Sequence, residues 1–404
     1  MNCEHFGICG GCTNIQDYST QLQTKHNLTL QEFQSFLDTK SKNFQYPTNP
    51  LAIEVFASPQ EGFRARAEFR FSHTFQNKSG LDFAMNAFGY NHRVPIKKCP
   101  ILLPTLQDIM PLLLHYLNTY DLLNHKLYAC NLLSSLQNEV IITLVYHKSL
   151  DSHWESLALK IQKELEYTLN TNIHIIGRSK NHKHILSNDI ICEHLTLFAN
   201  TPKERTYTFF KQESRFCQPN PFINTQMLEF IVSALSSIYT PQTPCDMLEL
   251  YCGSGNFTIP LASIFRHIFA TEVVKSAITL LQKNMAKNNI ENIIPARLNA
   301  FESIQALRKE CVFFRLKNID LDAFAFDCVL IDPPRSGVGE EEVLYFLQNF
   351  NTIIYVSCNP HTLLNDLRIL SQSHYVMQFG LFDQFPHTYH RECIVILRKS
   401  NKIL

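Results

Sequence analysis

The stretch "MLELYCGSGNFTIPLA", residues 247–262, decides the fold because it reads as a strand, a glycine turn and a helix in direct succession. Gly253 and Gly255 allow a tight turn and a close approach of the backbone to a ligand. The dinucleotide fingerprint G-x-G-x-x-G is incomplete, since Thr258 occupies its third glycine position, and pyrophosphate binding is therefore disfavoured. An ordinary tight turn is the alternative interpretation of the two glycines.

An acidic residue follows the glycine turn at the spacing typical of a ribose ligand. Glu272 ends the strand "HIFATEV" about 20 residues after Gly253. A carboxylate there accepts hydrogen bonds from both ribose hydroxyls. Adenosine bound without a pyrophosphate in this fold suggests S-adenosylmethionine as the cofactor, with a solvated surface glutamate as the alternative.

The order of helices and strands predicts the domain organisation. From about residue 222, helical and strand patterns alternate, which indicates an α/β fold with a parallel sheet and helices on both faces. Residues 46–210 mix strands such as "NEVIITLVYH" with the amphipathic helix "LDSHWESLALKIQKELEYTL" and predict an α+β domain. We therefore expect an N-terminal segment over 1–45, an α+β domain over 46–210 and a Rossmann-like domain over 211–404.

Two further strands end in residues that carry chemistry. "DCVLIDPPRSGVG" ends in a stiff Asp-Pro-Pro-Arg turn at Asp332, and "NTIIYVSCNPHTL" places Cys358 directly after an apolar run that Pro360 stops. Ligands bind at the carboxyl edge of such a sheet, so both residues are expected there. Taken alone, Cys358 is either a buried cysteine acting as a small hydrophobe or a nucleophile.

Composition limits the classes of function. The chain has 404 residues, 45% of them hydrophobic, and its apolar runs fall short of the roughly 18 residues that a membrane span needs. The start "MNCEHFGICGGC" is not a secretion signal, so we expect a cytoplasmic protein without a disulfide framework. Because 36 basic residues balance 36 acidic ones, a nucleic-acid surface must be a local patch. Residues 61–100 offer one, with basic side chains at Arg64, Arg66, Arg70, Lys78, Arg93, Lys97 and Lys98.

These motifs together resemble the RNA 5-methyluridine methyltransferases. The matching segments include "RFCQPNPFINTQML", "LELYCGSGNFT", "DPPRSG", "YVSCNP" and "LFDQFPHTYHREC", and the resemblance covers nearly all of residues 55–400. Several segments look like the TrmA branch, which modifies tRNA. The resemblance implies a class I S-adenosylmethionine-dependent methyltransferase domain behind an RNA-binding domain. It also implies methylation of uridine 54 in the tRNA T-loop, with the T-arm as partner and no obligate protein partner.

The chemistry of uracil gives two residues a role. C5 of uracil is a poor nucleophile until a thiolate adds to C6, after which C5 can accept a methyl group and must then lose its proton. Cys358 matches the family's cysteine in "SCNP" and is the expected nucleophile. Glu392 matches the family's glutamate in "HREC" and is the expected base, although a glutamate alone is more often a solvated surface acid.

Further contacts are implied by the resemblance. The cofactor is expected to touch the glycine turn and five matching side chains: Gln218, Tyr251, Asn256, Glu272 and Asp332, with Gly253 in the turn itself. A flipped or loop uridine is expected to meet aromatic and basic side chains. Those that stand where similar enzymes contact RNA are Arg66, Arg70, Tyr128 and His147, with core packing as the alternative for Tyr128.

The amino-terminal cysteines form a separate motif. Cys3, Cys9 and Cys12 have the spacing C-x5-C-G-G-C, and Cys99 follows in "IKKCPIL". Four thiolates suit an iron–sulfur cluster or zinc, and free thiols are the third option. The motif looks like that of the family's rRNA branch, which implies a [4Fe-4S] cluster of structural role. It also raises 23S rRNA as an alternative substrate, and an RNA chaperone that opens the tRNA elbow is the alternative of another class.

Overall fold

The structure is a computed structural model that describes residues 1–37, 51–74, 80–180, 182–240 and 244–400. Lys78 of the expected basic patch lies outside these residues, and so does the expected boundary between residues 45 and 46. The strands of the described chain are β1 (Ile53–Phe56), β2 (Arg66–Thr74), β3 (Gly80–Asn86), β4 (Arg93–Pro95), β5 (Leu127–Ser134), β6 (Val140–Tyr146), β7 (Ile173–Ser179), β8 (His182–Ile185), β9 (Ile190–Leu197), β10 (Arg205–Gln212), β11 (Asp246–Leu250), β12 (His267–Thr271), β13 (Ile293–Ala296), β14 (Phe326–Ile331), β15 (Thr352–Ser357), β16 (His374–Phe382) and β17 (Glu392–Lys399). Its α-helices are α1 (Tyr18–Leu37), α2 (Pro104–Thr119), α3 (Asp121–Asn124), α4 (Ser152–Leu169), α5 (Pro221–Ile238), α6 (Thr258–Leu261), α7 (Lys275–Lys287), α8 (Ala300–Leu307), α9 (Glu341–Leu347) and α10 (Pro360–Leu370).

An eight-stranded sheet forms the core of the carboxyl-terminal half, in the order β1-β16-β17-β15-β14-β11-β12-β13. Strands β11 to β15 pair in parallel, and β17 lies antiparallel between β15 and β16. The central strands are buried on both faces, which is why they read as almost continuous apolar runs. The expected α/β fold is therefore confirmed, with β17 as the antiparallel departure from the expected parallel sheet.

Two elements from the amino-terminal part of the chain complete this sheet. Strand β1 pairs in parallel with β16 at the sheet edge. Helix α1 packs beside it, with the Phe33 ring 5.1 Å from that of Phe379. The buried face of α1 also carries the polar residues Gln21, Lys25 and Thr29. Strand β1 falls within the α+β domain expected over residues 46–210, yet its hydrogen bonds join it to the carboxyl-terminal sheet. The expected division of the chain into three parts otherwise stays a prediction.

The central part of the chain forms a second sheet of seven strands, in the order β4-β3-β2-β5-β6-β7-β8. Helix α4 packs against it through the fully buried Trp154, whose ring lies 5.8 Å from that of Tyr146. Helix α2 contains the apolar run "IMPLLLHYL" and buries one stripe of it, which includes Ile109, Met110 and Leu113. None of the helices in the described ranges combines the length and apolar character needed to cross a bilayer.

A two-stranded hairpin, β9–β10, connects the two sheets and leads directly to Gln218. Its outer strand is held on α7 by side-chain amides: Asn284 accepts a hydrogen bond from the backbone N–H of Phe210 at 2.7 Å, and Asn288 accepts one from that of Thr208 at 2.9 Å. These bonds satisfy backbone groups of an edge strand. The loop that carries Gln218 therefore starts from a fixed position on the carboxyl-terminal domain.

Candidate active site

The turn after β11 has the backbone conformation that the two glycines predict. Gly253 and Gly255 have φ values of +54° and +90°, and a Cβ at Gly255 would overlap the side chain of Leu281 on α7. Tyr251 also has a positive φ of 62°, a strained conformation of the kind that clusters at functional sites. Helix α6 behind the turn has only four residues, because residues 262–266 form turns and bends that lead into β12.

Glu272 lies beside this turn, as its spacing predicts. Its carboxylate accepts a hydrogen bond from the backbone N–H of Gly253 at 3.3 Å and another from that of Val274 at 2.7 Å. The carboxyl end of β12 thus faces the glycine turn of β11, its parallel neighbour. The structure therefore places the residue expected to bind the ribose next to the glycine turn expected to bind the cofactor.

Two other expected cofactor contacts line the same turn. The side-chain amide of Asn256 is held by that of Asn224 on α5 through two reciprocal hydrogen bonds of 2.9 and 2.8 Å. The half-buried hydroxyl of Tyr251 has its pKa raised to about 12 by burial, so it remains a neutral donor at physiological pH. The amide of Asn256 is therefore held in place, and Tyr251 offers a neutral hydroxyl.

Asp332 and Cys358 follow neighbouring parallel strands, since β14 pairs with β15. Asn359 joins the two loops, because its amide donates a hydrogen bond to the Arg335 carbonyl at 2.9 Å. The same side chain caps α10 by accepting from the backbone N–H of His361, with Pro360 in the first turn of the helix. The Asn-Pro pair behind the cysteine is thus a helix start that holds Cys358 at the strand edge.

Glu392 reaches the same place from an antiparallel strand. It is the first residue of β17 and is only 5% exposed. The antiparallel register pairs Ser357, the last residue of β15, with Cys393 of β17. Cys358 directly follows β15 and Glu392 begins β17, so both residues lie at the same edge of the sheet. The structure therefore brings the expected nucleophile and the expected base together.

The charged side chains at this edge have opposite effects on the pKa of Cys358. Burial raises the pKa of the Cys358 thiol, and the Glu392 charge raises it further, whereas Arg335 favours the thiolate. Burial and then the charge of Asp332 raise the pKa of Glu392 well above its usual value. Burial also raises the pKa of Asp332 to about 7. Acids that share one poorly solvated place raise one another's pKa, and a cation among them favours their ionised forms.

A third buried carboxyl group, that of Glu249, belongs to this group and was missed by the sequence analysis. It lies on β11, is 1% exposed, and has its pKa raised to about 8 by burial. A glutamate within the apolar strand "MLELY" was the available signal, since a charged residue is rarely buried without a reason. Its proximity to Asp332 is what raises its pKa further.

Gln218 is paired with a second residue that the sequence analysis did not single out. Gln218 is 8% exposed, and its Oε1 accepts a hydrogen bond of 2.5 Å from Nε2 of Gln384. Gln384 lies two residues beyond β16, and its neighbour Asp383 forms a buried ion pair of 2.6 Å with Lys25 of α1. Helix α1 is therefore anchored to the loop that leads to Glu392.

Three of the four expected RNA contacts form one cluster on the central sheet. The Arg70 guanidinium lies 4.2 Å from the centre of the Tyr128 ring, and the His147 ring lies 4.4 Å from the same ring. Arg70 and His147 are exposed and Tyr128 is half-buried. Tyr128 thus belongs to a surface cluster, which differs from the core packing considered as its alternative.

Arg66 contacts the segment that leads to Gln218. Its side chain pairs with Glu68 at 2.7 Å and donates to the carbonyl of Arg215 at 3.1 Å. The next residue, Phe216, is 73% exposed although it is a large aromatic. An exposed aromatic two residues before Gln218 offers a face for a nucleic-acid base, and it was not singled out from the sequence.

The amino-terminal cysteines share a cavity of about 270 Å³, lined by Cys3, Cys9, Cys12, Cys99 and Arg64 among others. Cys9 also pairs with Ala87 in an isolated bridge to the central domain. Within the ranges that the structure covers, however, no three His, Cys, Asp or Glu side chains are arranged to hold a metal ion. The tertiary structure thus gathers the thiols, but the expected metal site is not confirmed.

Comparison with solved structures supports the fold. The chain is similar over 96% of its length to a tRNA (uracil-54, C5)-methyltransferase of Pyrococcus abyssi in complex with S-adenosyl-L-homocysteine, with a TM-score of 0.66 and 19% identity. That similarity covers 86% of the archaeal chain. At this level of identity it shows the shared architecture of both domains.

Comparison of sequences shows the family. The family model described as tRNA (Uracil-5-)-methyltransferase matches residues 25–400. A protein named tRNA/tmRNA (uracil-C(5))-methyltransferase in Helicobacter hepaticus is 98% identical over all 404 residues and 100% of both chains. A protein of the same name in Wolinella succinogenes is 43% identical over 99% of this chain and 100% of its own. With the cysteine, the acids and the glycine turn meeting at one sheet edge, the chain belongs to the tRNA (uracil-5-)-methyltransferase family.

Proposed function

We propose that this enzyme forms 5-methyluridine at position 54 of the tRNA T-loop, with S-adenosylmethionine as methyl donor. The observation that carries the proposal is the placement of Cys358 and Glu392 beside the turn of Gly253 and Gly255, all at one edge of the sheet. The names of its relatives support the substrate, since both the Helicobacter and the Wolinella proteins are named as tRNA/tmRNA enzymes.

Two side chains perform the covalent chemistry in this proposal. The Cys358 thiolate adds to C6 of the uracil, which places the electron pair of the C5–C6 bond on C5. Bound S-adenosylmethionine supplies an electrophilic methyl group on a sulfonium. The Glu392 carboxylate then takes the proton from C5, and the electrons of that C–H bond restore the double bond as the C6–S bond breaks. Arg335 stabilises the thiolate before the addition.

The cofactor is held, we propose, by the polar side chains around the glycine turn. Glu272 accepts from the ribose hydroxyls. Tyr251, Asn256, Asp332 and Gln218 surround the rest of the ligand. The buried acids Glu249, Asp332 and Glu392 also suit a sulfonium, because a cation entering a group of like-charged acids favours their ionised forms.

The RNA contacts are proposed on the same face of the central domain. Arg70, Tyr128 and His147 form a basic and aromatic cluster that suits the bases and phosphates of an RNA loop. Arg66 donates to the carbonyl of Arg215, which precedes the exposed Phe216 and lies three residues before Gln218. A uridine flipped out of the loop could then reach Cys358 while its neighbours stack on these side chains.

The test is methyl transfer from labelled S-adenosylmethionine to a tRNA transcript and to a 23S rRNA transcript. Label on the tRNA that disappears with Cys358→Ala, and also when uridine 54 is replaced, supports the proposal. Label on the rRNA alone refutes the tRNA assignment. An RNA chaperone without methyl transfer would refold tRNA equally well with Cys358→Ala and would label neither RNA.

The cysteine cavity has a separate proposal, that of a [4Fe-4S] cluster with a structural role. It is supported by four thiols that line one cavity although Cys99 lies far along the chain from Cys3, Cys9 and Cys12. Against it stands the absence of a metal-holding group within the described residues. Iron and acid-labile sulfide in protein purified without oxygen would support the cluster; zinc alone, or no metal, would refute it.

A further inference from the structure

Gln384 is a buried amide with an unsatisfied acceptor. Its side chain is 1% exposed, and its Oε1 has no hydrogen-bond partner among the described residues. Buried polar atoms in native proteins are almost always paired, so an unpaired one calls for an explanation. The atom lies in an amide that is one hydrogen bond from Gln218, the expected cofactor contact.

The hydrogen bond between the two side-chain amides determines which of their donor and acceptor groups remain unused. One N–H of Gln384 is donated to Oε1 of Gln218 over 2.5 Å. The pair therefore retains an NH₂ group on Gln218 and a carbonyl oxygen on Gln384. Exchanging the nitrogen and oxygen of both amides gives the same result with the roles reversed. In either arrangement the pair presents one donor and one acceptor side by side.

A donor and an acceptor side by side match an α-amino-acid group, which carries a carboxylate and an ammonium on one carbon. We propose that Gln384, acting with Gln218, binds the amino-acid end of S-adenosylmethionine, with the Gln384 carbonyl accepting from the α-ammonium and the Gln218 amide donating to the α-carboxylate. This inference rests on the proposed function, since it assigns a new contact to the same cofactor.

The position of Gln384 is set before any ligand binds. Its backbone N–H donates to the carbonyl of Phe382 at 2.9 Å, and Phe382 is the residue that pairs with Glu392 across the sheet. On its other side, the buried ion pair of Asp383 with Lys25 ties the loop to α1. An acceptor held in this way binds a ligand with little loss of side-chain entropy.

The experiment is calorimetric titration of wild type and Gln384→Met with two ligands, S-adenosylhomocysteine and 5′-methylthioadenosine. The second ligand has the adenosine and the sulfur but no amino-acid group. We expect Gln384→Met to weaken S-adenosylhomocysteine by about 10- to 100-fold and to leave 5′-methylthioadenosine within about twofold of wild type. The exposed Gln372 provides a matched control, and Gln372→Met is expected to change neither affinity.

Each other outcome overturns the inference in a recognisable way. Equal weakening of both ligands means that Gln384 supports the pocket without contacting the amino-acid group. Unchanged affinity for S-adenosylhomocysteine with a raised KM for tRNA means that the amide contacts the base. Should Gln384→Met fail to fold, Gln384→Asn tests the same point: its amide is withdrawn by one methylene group, so S-adenosylhomocysteine should again be weakened selectively, and the absence of selective weakening refutes the proposal. Wild type that binds neither ligand refutes the proposed function itself.

Discussion

Replacement of Glu392 by glutamine is expected to stall the reaction between methyl transfer and release of the enzyme. The amide has nearly the size of the carboxyl group, so packing around this residue, which is 5% exposed, should be retained. In the proposed mechanism, the variant loses the base that removes the C5 proton. Water replaces such a base poorly at so buried a position, and removal of a general base typically lowers turnover by about 10²- to 10⁴-fold.

The first half of the reaction is expected to survive this change. The charge of Glu392 is the second largest cause of the raised pKa of Cys358, after burial. The neutral amide of the Glu392→Gln variant removes that charge, so the thiolate forms more readily and still adds to C6. Protein and methylated RNA should then remain joined through the Cys358 sulfur.

Denaturing gels and mass spectrometry of the protein mixed with tRNA and S-adenosylmethionine measure this adduct directly. We expect up to one methylated RNA per Glu392→Gln protein, a trace with wild type, and none with Cys358→Ala. Glu54 is exposed on β1, and Glu54→Gln is the matched control, which should turn over like wild type. Normal turnover by Glu392→Gln, or loss of the first methyl transfer without an adduct, would refute the assignment of the base.

Three further predictions follow from the described contacts. Lys25→Met leaves Asp383 as an unpaired buried charge and should lower the free energy of unfolding by about 3–5 kcal/mol, with partial recovery when Asp383→Asn is added; urea denaturation of the three proteins measures this. The rate of methyl transfer should rise with pH through the neutral range, because the raised pKa of Cys358 leaves little thiolate at low pH; Arg335→Met should move the pH–rate profile to higher pH, and an unchanged profile would contradict this role. Gly255→Ala should weaken S-adenosylhomocysteine by about tenfold or more, since its φ is +90° and its Cβ would overlap α7; unaltered affinity in calorimetry would show that the turn adapts.

Much of the fold was predictable because local pattern and final structure agree. The alternation that begins near residue 222 becomes the α/β sheet, and the helix expected over "LDSHWESLALKIQKELEYTL" is α4. Helix α1 was harder to place, because its buried face carries Lys25 and Gln21 as well as apolar residues. A buried polar face gives a weak hydrophobic period, and only its partners on the sheet explain it.

Some residues of the candidate site could likewise be predicted from the sequence, and others could not. Cys358, Glu272 and the glycine turn could be selected because each follows a strand, and parallel strands present their carboxyl ends at one edge. Glu249 and Gln384 could not, since a carboxylate or an amide in the sequence does not reveal its burial. Their chemistry depends on neighbours that come from other strands.

The sequence by itself determined which groups are available: a thiol after one strand, acids after others, a glycine turn that admits adenosine, and a family pattern over most of the chain. Only the tertiary structure decided how these groups act on each other. The antiparallel strand β17 brings Glu392 to Cys358 from the opposite direction, and β1 and α1 return from the amino terminus to fix the loop before it. Burial and mutual repulsion set the proton affinities there, and both depend on distances in space that the order of residues does not contain.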